Sequence, residues 1–440
     1  MTTRRPPRIF LGPVEIAGYY AGLEAGLREL GFDALAVDLQ RHPFAYRAET
    51  EHDPSVIRLV QRVRDRRPSG RASRARLAVW LPAWAAARGL LILWALLRFD
   101  VFVFSAGVTL LRGHDLPLLR LLGKRMIVVF HGSDARPAYI DGQVMASHRG
   151  VTTSQCIDIS RWRKRRIRSL ERYVDVIVAQ PANSHFFERP VVNWFLIGVP
   201  WREPPTTIRA PEVDDDDKGS NRRPVRILHS PSDAPLKGSD LIRAAVHQLT
   251  LEGLPLELVE LRGVPNDVVL SELGRCDFVV DQLYSDAPMV GFATEAAVAS
   301  RPAIVGGYAW DANRSAFGSI PFPPVEECSP EGIVEAVRRL ASDTAHREQL
   351  GRRAHDFVHA HWSRADIARR FVRLIEGPPP ADWMFDPRTL RYVEGCGLSR
   401  EHCRAVVRDV LRVGGRAALD IPDKPELEAA FVEFARVPDT

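Results

Sequence analysis

The chain has few cysteines, few lysines and no marked excess of either charge. Five cysteines occur among its 440 residues, and their spacing includes neither a CxxC pair nor a zinc-ligand pattern. A disulfide-stapled miniprotein is therefore excluded, and the odd number of cysteines suits a reducing cytoplasm. The formal net charge of +5 is too small a bias to indicate nucleic acid as the main partner.

Secretory and membrane-spanning segments are also scarce. Residues 1–10 are basic but lack an apolar signal region, so we expect a cytoplasmic protein without a secretory signal. Only Leu77–Phe99 approaches a membrane-spanning length, and Pro82, Arg88 and Arg98 argue against a spanning helix. An arginine-dense flank and three tryptophans suit peripheral contact with anionic lipid through residues 58–99. A buried connecting helix is the interpretation we prefer over that contact.

The rest of the sequence has the periodicity of an α/β protein. Short apolar runs predict parallel strands that are covered on both faces: Arg8–Gly12, Val101–Ser105, Met126–Phe130, Asp175–Ala179, Val225–His229, Glu257–Leu261, Phe278–Val280 and Ala303–Val305. Helical spacing of apolar residues predicts helices at Gly18–Leu30, Ser239–Leu251, Ile333–Leu340 and Ala354–Ile375. Two successive doubly wound, Rossmann-like domains are expected, facing a cleft at the carboxyl ends of their strands.

Composition places the domain boundary. Residues 209–224 contain four consecutive aspartates, Asp214 to Asp217, together with proline, glycine and serine, which is typical of an exposed linker. We therefore expect domains at 1–208 and 225–376, followed by a helical extension at 377–440 without recognisable chemistry. The aspartate run is not interpreted as a metal site, because no strand or glycine architecture surrounds it.

Four motifs occur in a fixed order along the chain. They are Phe130-His131-Gly132-Ser133-Asp134-Ala-Arg136, His229 to Lys237-Gly238, Cys276 to Asp281-Gln282, and Gly291-Phe292-Ala-Thr-Glu295 to Pro302. In this order and spacing they resemble the signatures of retaining GT-B glycosyltransferases of family 4, over residues 8–375. The resemblance implies a GT-B fold and transfer of a sugar from a nucleotide diphosphate donor to an unidentified acceptor, with retention of configuration and with neither metal nor other cofactor.

The chemistry of such a donor explains the candidate phosphate residues. Its pyrophosphate gains charge as the glycosidic bond breaks, so cations and helix N-termini belong beside it. Lys237 supplies a cation and Gly238 allows close approach of the backbone, although Lys237 could also be a solvated loop lysine. Gly18, after the first strand, is expected to approach the diphosphate or else to be a packing glycine.

The resemblance assigns the remaining candidates. Glu295 would accept hydrogen bonds from the ribose hydroxyls, although a glutamate there could simply complement a helix dipole. Gly291 and Phe292 would shape the loop under the sugar. His131 would be catalytic, although a lone histidine at a strand end is often structural. On the acceptor side we expect Asp134 and Arg136, which could instead pair with each other.

Two departures from the family pattern concern the donor. The first glutamate of the usual pair is replaced by Ala287, and Asp286 lies one position earlier. Because that glutamate meets the hydroxyls of the transferred sugar in the family, either Asp286 or a backbone amide near Met289 to Gly291 would have to replace it. The arginine that usually precedes the lysine is absent, and Ser230 to Ser232 occupy its place. A non-catalytic relative that binds a nucleotide sugar or a partner protein, and a coupling enzyme that uses a cyclitol nucleotide, are the alternatives.

Overall fold

The computed structural model describes residues 5–40, 53–68, 74–201, 223–318 and 320–438. The chain forms two compact units. The first consists of the described residues of Met1–Phe130, Ser169–Val178 and Arg364–Pro379, and the second of those of His131–Arg168, Ala179–Ser363 and Pro380–Thr440. Most of the predicted linker at 209–224 lies outside the described residues, so the predicted domain boundary there stays a prediction.

Strands and helices alternate along most of the chain. The strands are β1 (Ile9–Gly12), β2 (Ala34–Ala36), β3 (Val101–Ser105), β4 (Arg125–Val129), β5 (Val176–Ala179), β6 (Val191–Asn193), β7 (Val225–His229), β8 (Leu256–Glu260), β9 (Phe278–Ser285), β10 (Ala303–Gly307), β11 (Glu326–Cys328) and β12 (Met384–Phe385). The helices are α1 (Tyr19–Glu29), α2 (Ser55–Asp65), α3 (Arg74–Arg98), α4 (Leu116–Leu121), α5 (Gly142–Met145), α6 (Thr153–Tyr173), α7 (Trp194–Ile197), α8 (Ala234–Lys237), α9 (Ser239–Leu251), α10 (Asn266–Leu273), α11 (Gly291–Val298), α12 (Trp310–Ala316), α13 (Ile333–Ser342), α14 (Thr344–His361), α15 (Arg364–Glu376), α16 (Arg400–Gly414) and α17 (Pro425–Arg436).

The first unit is built on a parallel sheet in the order β5-β4-β3-β1-β2. All five residues of β3 are buried, as expected for a strand that is covered on both faces. Phe10 on β1 packs against Phe102 and Phe99, with ring centroids 5.5 Å apart in each case. The core therefore lies along the centre of the sheet, where the apolar runs of the sequence are longest.

The second unit contains a parallel sheet in the order β11-β10-β9-β7-β8. One buried cluster joins Ile227 and Phe278 of the sheet to Ile242 of α9 and Val337 of α13. In both units the strand order reverses beside the first strand. In parallel sheets ligands bind outside the carboxyl ends of the strands at such a point, which in the second unit lies between β7 and β9.

The C-terminal part of the chain packs within the second unit. The Tyr139 hydroxyl donates to the carbonyl of Leu419 at 3.0 Å, and the Tyr139 ring meets Phe431 of α17 edge to face, with centroids 5.4 Å apart. The strand β12 pairs antiparallel with β6. The prediction of a helical C-terminal extension is confirmed.

The predicted elements are found with small shifts. The strands at Val101–Ser105 and Val225–His229 and the helix at Ser239–Leu251 are confirmed with the predicted bounds. The strand β9 is longer than the predicted Phe278–Val280, because Asp281 and Gln282 end the apolar run although the strand continues through them. The long helix predicted at Ala354–Ile375 is two helices, α14 and α15.

The helix α3 overturns the preferred interpretation of residues 77–99 as a buried connecting helix. A buried connecting helix would hide most of its side chains, but Val79 is 75% exposed and Leu97 is 71% exposed. By length and composition the segment Arg76–Arg98 could cross a membrane, and 11% of its most apolar window is buried in the protein. The interpretation as a buried core helix is therefore wrong.

Candidate functional site

The motif from His229 to Lys237-Gly238 lies at the point in the second sheet where the strand order reverses. The strand β7 ends at His229, and the short helix α8 ends at Lys237. Gly238 follows in the left-handed conformation, with φ of 73°, and joins α8 to α9. A Cβ atom at Gly238 would lie 2.9 Å from the Cβ of Leu283 on β9, so glycine is required by both the turn and the close packing.

Lys237 is held by a buried carboxylate. Its Nζ lies 3.3 Å from Oδ1 of Asp281, which belongs to β9 and is 2% exposed. The other carboxylate oxygen, Oδ2, is buried and has no hydrogen-bond partner in the described part of the chain. An unsatisfied buried carboxylate oxygen is unfavourable unless a cation or a donor meets it. Asp281 thus orients the ammonium group beside the start of α9.

The N-terminus of α9 is open in the sense that its first amides have no side-chain acceptor in the described part of the chain. Gly238 has no side chain to cap the helix, and no side chain of the described residues accepts a hydrogen bond from its first amides. The hydroxyl of Ser239 points into the protein and lies 2.7 Å from Nε2 of His229. The other ring nitrogen of His229, Nδ1, lies 2.7 Å from the carbonyl oxygen of Val280. Burial lowers the pKa of His229, so its uncharged ring stabilises the turn through these two hydrogen bonds.

A second cluster of charges is buried at the end of β9. The guanidinium of Arg136 pairs with Asp286, with its Nε 3.1 Å from Oδ2, and its Nη1 lies 3.3 Å from Oδ1 of Asp141. Arg163 completes the group at 2.8 Å from Oδ2 of Asp141. Burial by itself lowers the pKa of Arg136, but the attraction of Asp286 and Asp141 outweighs it, and the pKa is raised. The predicted sugar-binding carboxylate therefore has an internal partner.

The loop after β4 is a tight turn stabilised by Asp134. The Asp134 carboxylate accepts hydrogen bonds from the amides of His131 at 3.0 Å and Gly132 at 2.8 Å. Asp134 and Arg136 thus have separate partners and do not pair with each other. Burial lowers the pKa of His131 to about 4, with Asp134 opposing the shift. His131 is consequently neutral at physiological pH.

A segment of the C-terminal extension lies against both charged clusters. The amide of Gly397 donates to the carbonyl of Tyr284 on β9 at 2.9 Å, and Cys396 bridges residues 140 and 142 through its backbone. A Cβ atom at Gly395 would lie 1.9 Å from the carbonyl oxygen of Ile140. Burial raises the pKa of the Cys396 thiol to about 12; Asp286 adds to this shift, while Arg136 and Lys237 oppose it. The thiol is therefore protonated, and it lies within electrostatic range of both clusters.

Glu295 lies in the second turn of α11. The helix begins at Gly291, so Gly291 and Phe292 are its first two residues. The prediction that they form a loop before the helix is therefore wrong. No acidic residue occupies the first turn, where a carboxylate would complement the helix dipole. The Oε1 of Glu295 accepts a hydrogen bond from Nδ2 of Asn266 at 2.9 Å. This contact holds the carboxylate in place.

In the first unit, Gly18 precedes α1 with φ of 79°. The buried carboxylate of Glu15 accepts hydrogen bonds from the amides of Tyr20 at 3.2 Å and Ala21 at 3.0 Å. The first amides of α1 therefore already have an anionic partner, whereas those of α9 do not. The predicted approach of Gly18 to a diphosphate stays a prediction.

The structure brings some of the candidates together. The strand β9 carries Asp281, the partner of Lys237, and leads directly to Asp286, the partner of Arg136. Within the described ranges, no group of three or more His, Cys, Asp or Glu side chains could hold a metal ion. The aspartates at 214–217 lie outside the described residues.

Sequence reasoning missed three contributors to this site. Asp281 was part of a motif but had no assigned role, although a carboxylate that follows an apolar strand is a signal for a special partner. Asp141 and Cys396 carried no signal, because their proximity depends on contacts between segments about 250 residues apart. Pairing over such distances is not visible in local periodicity.

Comparisons with known proteins support the fold. No protein-family model and no curated protein matches the chain. Among solved structures, it is similar to sucrose-phosphate synthase from Thermosynechococcus elongatus, at 16% identity and a TM-score of 0.50, with 84% of this chain and 98% of that chain covered. Anabaena HepE in complex with UDP and glucose is similar at 12% identity and a TM-score of 0.47, with 84% and 99% covered. The glycosyltransferase SnogD from Streptomyces nogalater is similar at 14% identity and a TM-score of 0.39, with 84% and 100% covered.

At these identities the likeness concerns the fold alone. The structural neighbours of the chain are GT-B glycosyltransferases. The prediction of an α/β fold with two Rossmann-like parts and a helical C-terminal part is confirmed.

Proposed function

We propose that this protein is a glycosyltransferase that moves a sugar from a nucleoside diphosphate sugar to an acceptor with retention of configuration, as in the family-4 enzymes that its motifs resemble. One observation carries the proposal. Lys237 and the open N-terminus of α9 lie side by side at the switch point of a parallel sheet, where such folds bind anionic ligands. The acceptor is left unnamed, and we place the reaction in the cytoplasm.

The residues present fit the charge that the reaction creates. As the bond to the sugar breaks, negative charge grows on the departing diphosphate, and the Lys237 ammonium and the α9 amides stabilise this charge more than that of the bound donor. Asp281 acts as a positioning residue by holding Nζ of Lys237. The departing phosphate can accept the acceptor proton on the same face of the sugar, which gives retention. We assign no protein nucleophile and no metal to this step.

The proposed role of His131 is that of a neutral hydrogen-bonding group. Because burial lowers the pKa of His131 to about 4, its ring carries no charge between pH 6 and 8 and cannot serve as a cation for phosphate. We expect imidazole NMR to show this histidine titrating well below pH 5, with the resonance assigned by its loss in His131→Gln. A midpoint near 6.5, the ordinary value, would contradict the neutral role.

The proposed ribose contact is testable at Glu295. Glu295→Gln keeps the shape but changes a charged acceptor into an amide, so we expect roughly a tenfold weaker affinity for a ribonucleoside diphosphate. The 2′-deoxy analogue should bind the wild type and the variant more nearly alike, because it lacks one of the two hydroxyls. Calorimetry measures both ligands. Glu348→Gln removes an exposed carboxylate of α14 and is the matched control.

A second candidate function is a non-catalytic relative that binds a nucleotide sugar. It is favoured by Ala287 at the place of the first glutamate and by the pairing of Asp286 with Arg136. Incubation with a panel of nucleotide sugars separates the two. Release of nucleoside diphosphate that is lost in Lys237→Ala supports the transferase. Thermal stabilisation by the same compounds without any turnover, with candidate acceptors also present, supports the binding protein.

A further inference from the structure

The helix α3 is apolar on all of its sides. From Leu77 to Leu97 the only charged residue is Arg88, and serine, threonine, asparagine and glutamine do not occur. A surface helix of a soluble domain normally carries polar side chains on its outer face. A helix that is apolar all round is expected in a protein core or in contact with lipid. The described structure excludes the first of these environments.

Only one stripe of α3 is buried. It consists of Ala87, Leu91 and Ala95, which repeat every four residues and pack within the first unit. The exposed apolar side chains of α3 are spread over the rest of the helix and are Leu77, Val79, Leu81, Leu90, Leu93 and Leu97. Contiguous apolar surface of this extent on a soluble unit is typical of an interaction site.

The helix is fixed to the first unit by its C-terminal half. Its last residue, Arg98, donates from Nη2 to Oδ1 of Asp33 at 2.8 Å, and β3 begins at Val101. The ring of Trp94 meets Phe99 edge to face, with centroids 5.2 Å apart. A helix that is packed on the first unit over this half is not surrounded by lipid there. It can present its outer face to a bilayer while lying flat.

A basic helix lies beside it. The segment 54–98 contains ten arginines and a single acidic residue, Asp65. On α2 and at its C-terminal cap, the side chains of Arg58, Arg62 and Arg66 are exposed. The indole of Trp80 on α3 donates to the carbonyl of Val63 on α2 at 2.8 Å, which ties the two helices together. Positive charge is therefore held next to the apolar face.

The two helices also enclose an apolar hollow. Its volume is about 590 Å³, and its lining includes Val79, Trp80 and Ala83 together with Arg66 and Arg76. An apolar hollow with guanidinium groups at its edge matches the two parts of an anionic lipid, a hydrocarbon chain and a charged headgroup. Neither a soluble protein partner nor a second copy of this chain is required to explain that combination.

We infer that α2 and α3 form a docking surface for an anionic lipid bilayer, called here the α2–α3 surface. Leucine and tryptophan side chains of α3 enter the boundary between headgroups and acyl chains, while the arginines of α2 contact anionic headgroups. The protein lies on the membrane and does not cross it. This inference does not depend on the proposed function, because it concerns only the first unit.

Vesicle sedimentation of the full chain tests it. The vesicles contain either phosphatidylcholine alone or phosphatidylcholine with phosphatidylglycerol, and no nucleotide sugar is added. We expect at least tenfold stronger binding to the anionic vesicles at low salt, and release by 0.5 M NaCl, since salt screens charges at the surface. Failure to bind anionic vesicles overturns the inference, and so does protein that stays bound in high salt, as a spanning helix would.

Variants locate the contact. Arg62→Gln with Arg66→Gln should weaken binding about twentyfold, because each arginine near an anionic surface contributes about a factor of five. Leu93→Ser with Leu97→Ser should weaken it at least tenfold, since both leucines would lose their contact with lipid. Arg352→Gln and Leu251→Ser alter exposed side chains of the second unit and are the matched controls.

The control outcomes are decisive in either direction. If the leucine variant binds as the wild type does, or if the controls weaken binding equally, the α2–α3 surface is not the contact. If anionic vesicles do not bind the protein while light scattering shows a dimer that Leu93→Ser with Leu97→Ser abolishes, a second copy covers the surface and the inference is wrong. Vesicle binding is measured without nucleotide sugar and turnover is measured without vesicles. The inference and the proposed function can therefore fail independently.

Discussion

Asp286→Ala is expected to destabilise the protein by about 3 kcal/mol, because it leaves the Arg136 guanidinium buried without its main partner. Arg136 is 2% exposed and Asp286 is 4% exposed, so water cannot replace the lost carboxylate without local opening. Asp141, whose Oδ1 lies 3.3 Å from Nη1 of Arg136, remains and keeps the loss at the lower end of the range for broken buried pairs. Urea denaturation of the purified variant measures the free energy of unfolding.

A double variant separates pairing from mere burial. Arg136→Met with Asp286→Leu removes both charges, and it should be more stable than Asp286→Ala even though it changes two residues. Asp356→Ala, which removes an exposed carboxylate of α14, should change stability by less than about 0.5 kcal/mol. If Asp286→Ala unfolds like the wild type but no longer discriminates among donor sugars, then Asp286 reads the sugar as the sequence analysis expected, and the ion pair has little structural weight.

The fold was predictable because its signals are local. Apolar runs such as Val101–Ser105 mark strands that helices cover on both faces, and the periodicity of Ser239–Leu251 marks a helix with one buried side. The errors arose where a polar residue belongs to an element for a tertiary reason. Asp281 ended the predicted strand because a carboxylate inside a sheet is rare, and it is tolerated there because Lys237 reaches it.

The site was less predictable, because it depends on separate segments. Arg136 and Asp286 are 150 positions apart, and the backbone of the Gly395–Gly397 segment bonds to Ile140 and Tyr284, which lie near them in sequence. Periodicity carries no information on such contacts. The Lys237-Gly238 turn could be found because a glycine directly after a lysine signals a left-handed turn without any information from distant residues. The occupation of the α1 amides by Glu15 could not, since a glutamate in a loop has many uses.

That difference between α1 and α9 bears on which helix meets a diphosphate. A helix N-terminus attracts an anion through its unpaired amides, and in α1 those amides already bond to Glu15. In α9 the corresponding position has Gly238 as its cap and Lys237 beside it. The proposed diphosphate site is therefore assigned to the second unit, and the loss of affinity on removing Lys237 tests that assignment.

Lys237→Ala is expected to weaken binding of a nucleoside diphosphate by roughly 10- to 150-fold, since a hydrogen bond to a charged group contributes about 1.5 to 3 kcal/mol. Binding of the bare nucleoside should be nearly unchanged, because it has no phosphate for the ammonium to meet. Asp281→Asn should give a smaller loss, because the ammonium remains but is held less firmly. Calorimetry with the nucleoside and the nucleoside diphosphate of one base measures all of these affinities.

The contrast between the two ligands is what assigns the contact. Arg352→Ala removes an exposed positive charge from α14 in the same unit, so it controls for a general loss of attraction to anions. Equal losses of nucleoside and nucleoside diphosphate in Lys237→Ala would mean that the turn has been distorted and that Lys237 does not contact phosphate. If Lys237→Ala binds both the nucleoside and the nucleoside diphosphate as the wild type does, then Lys237 pairs with Asp281 and has no role in binding. Only a loss confined to the diphosphate, larger than that of Asp281→Asn, agrees with an ammonium that Asp281 aims at the open end of α9.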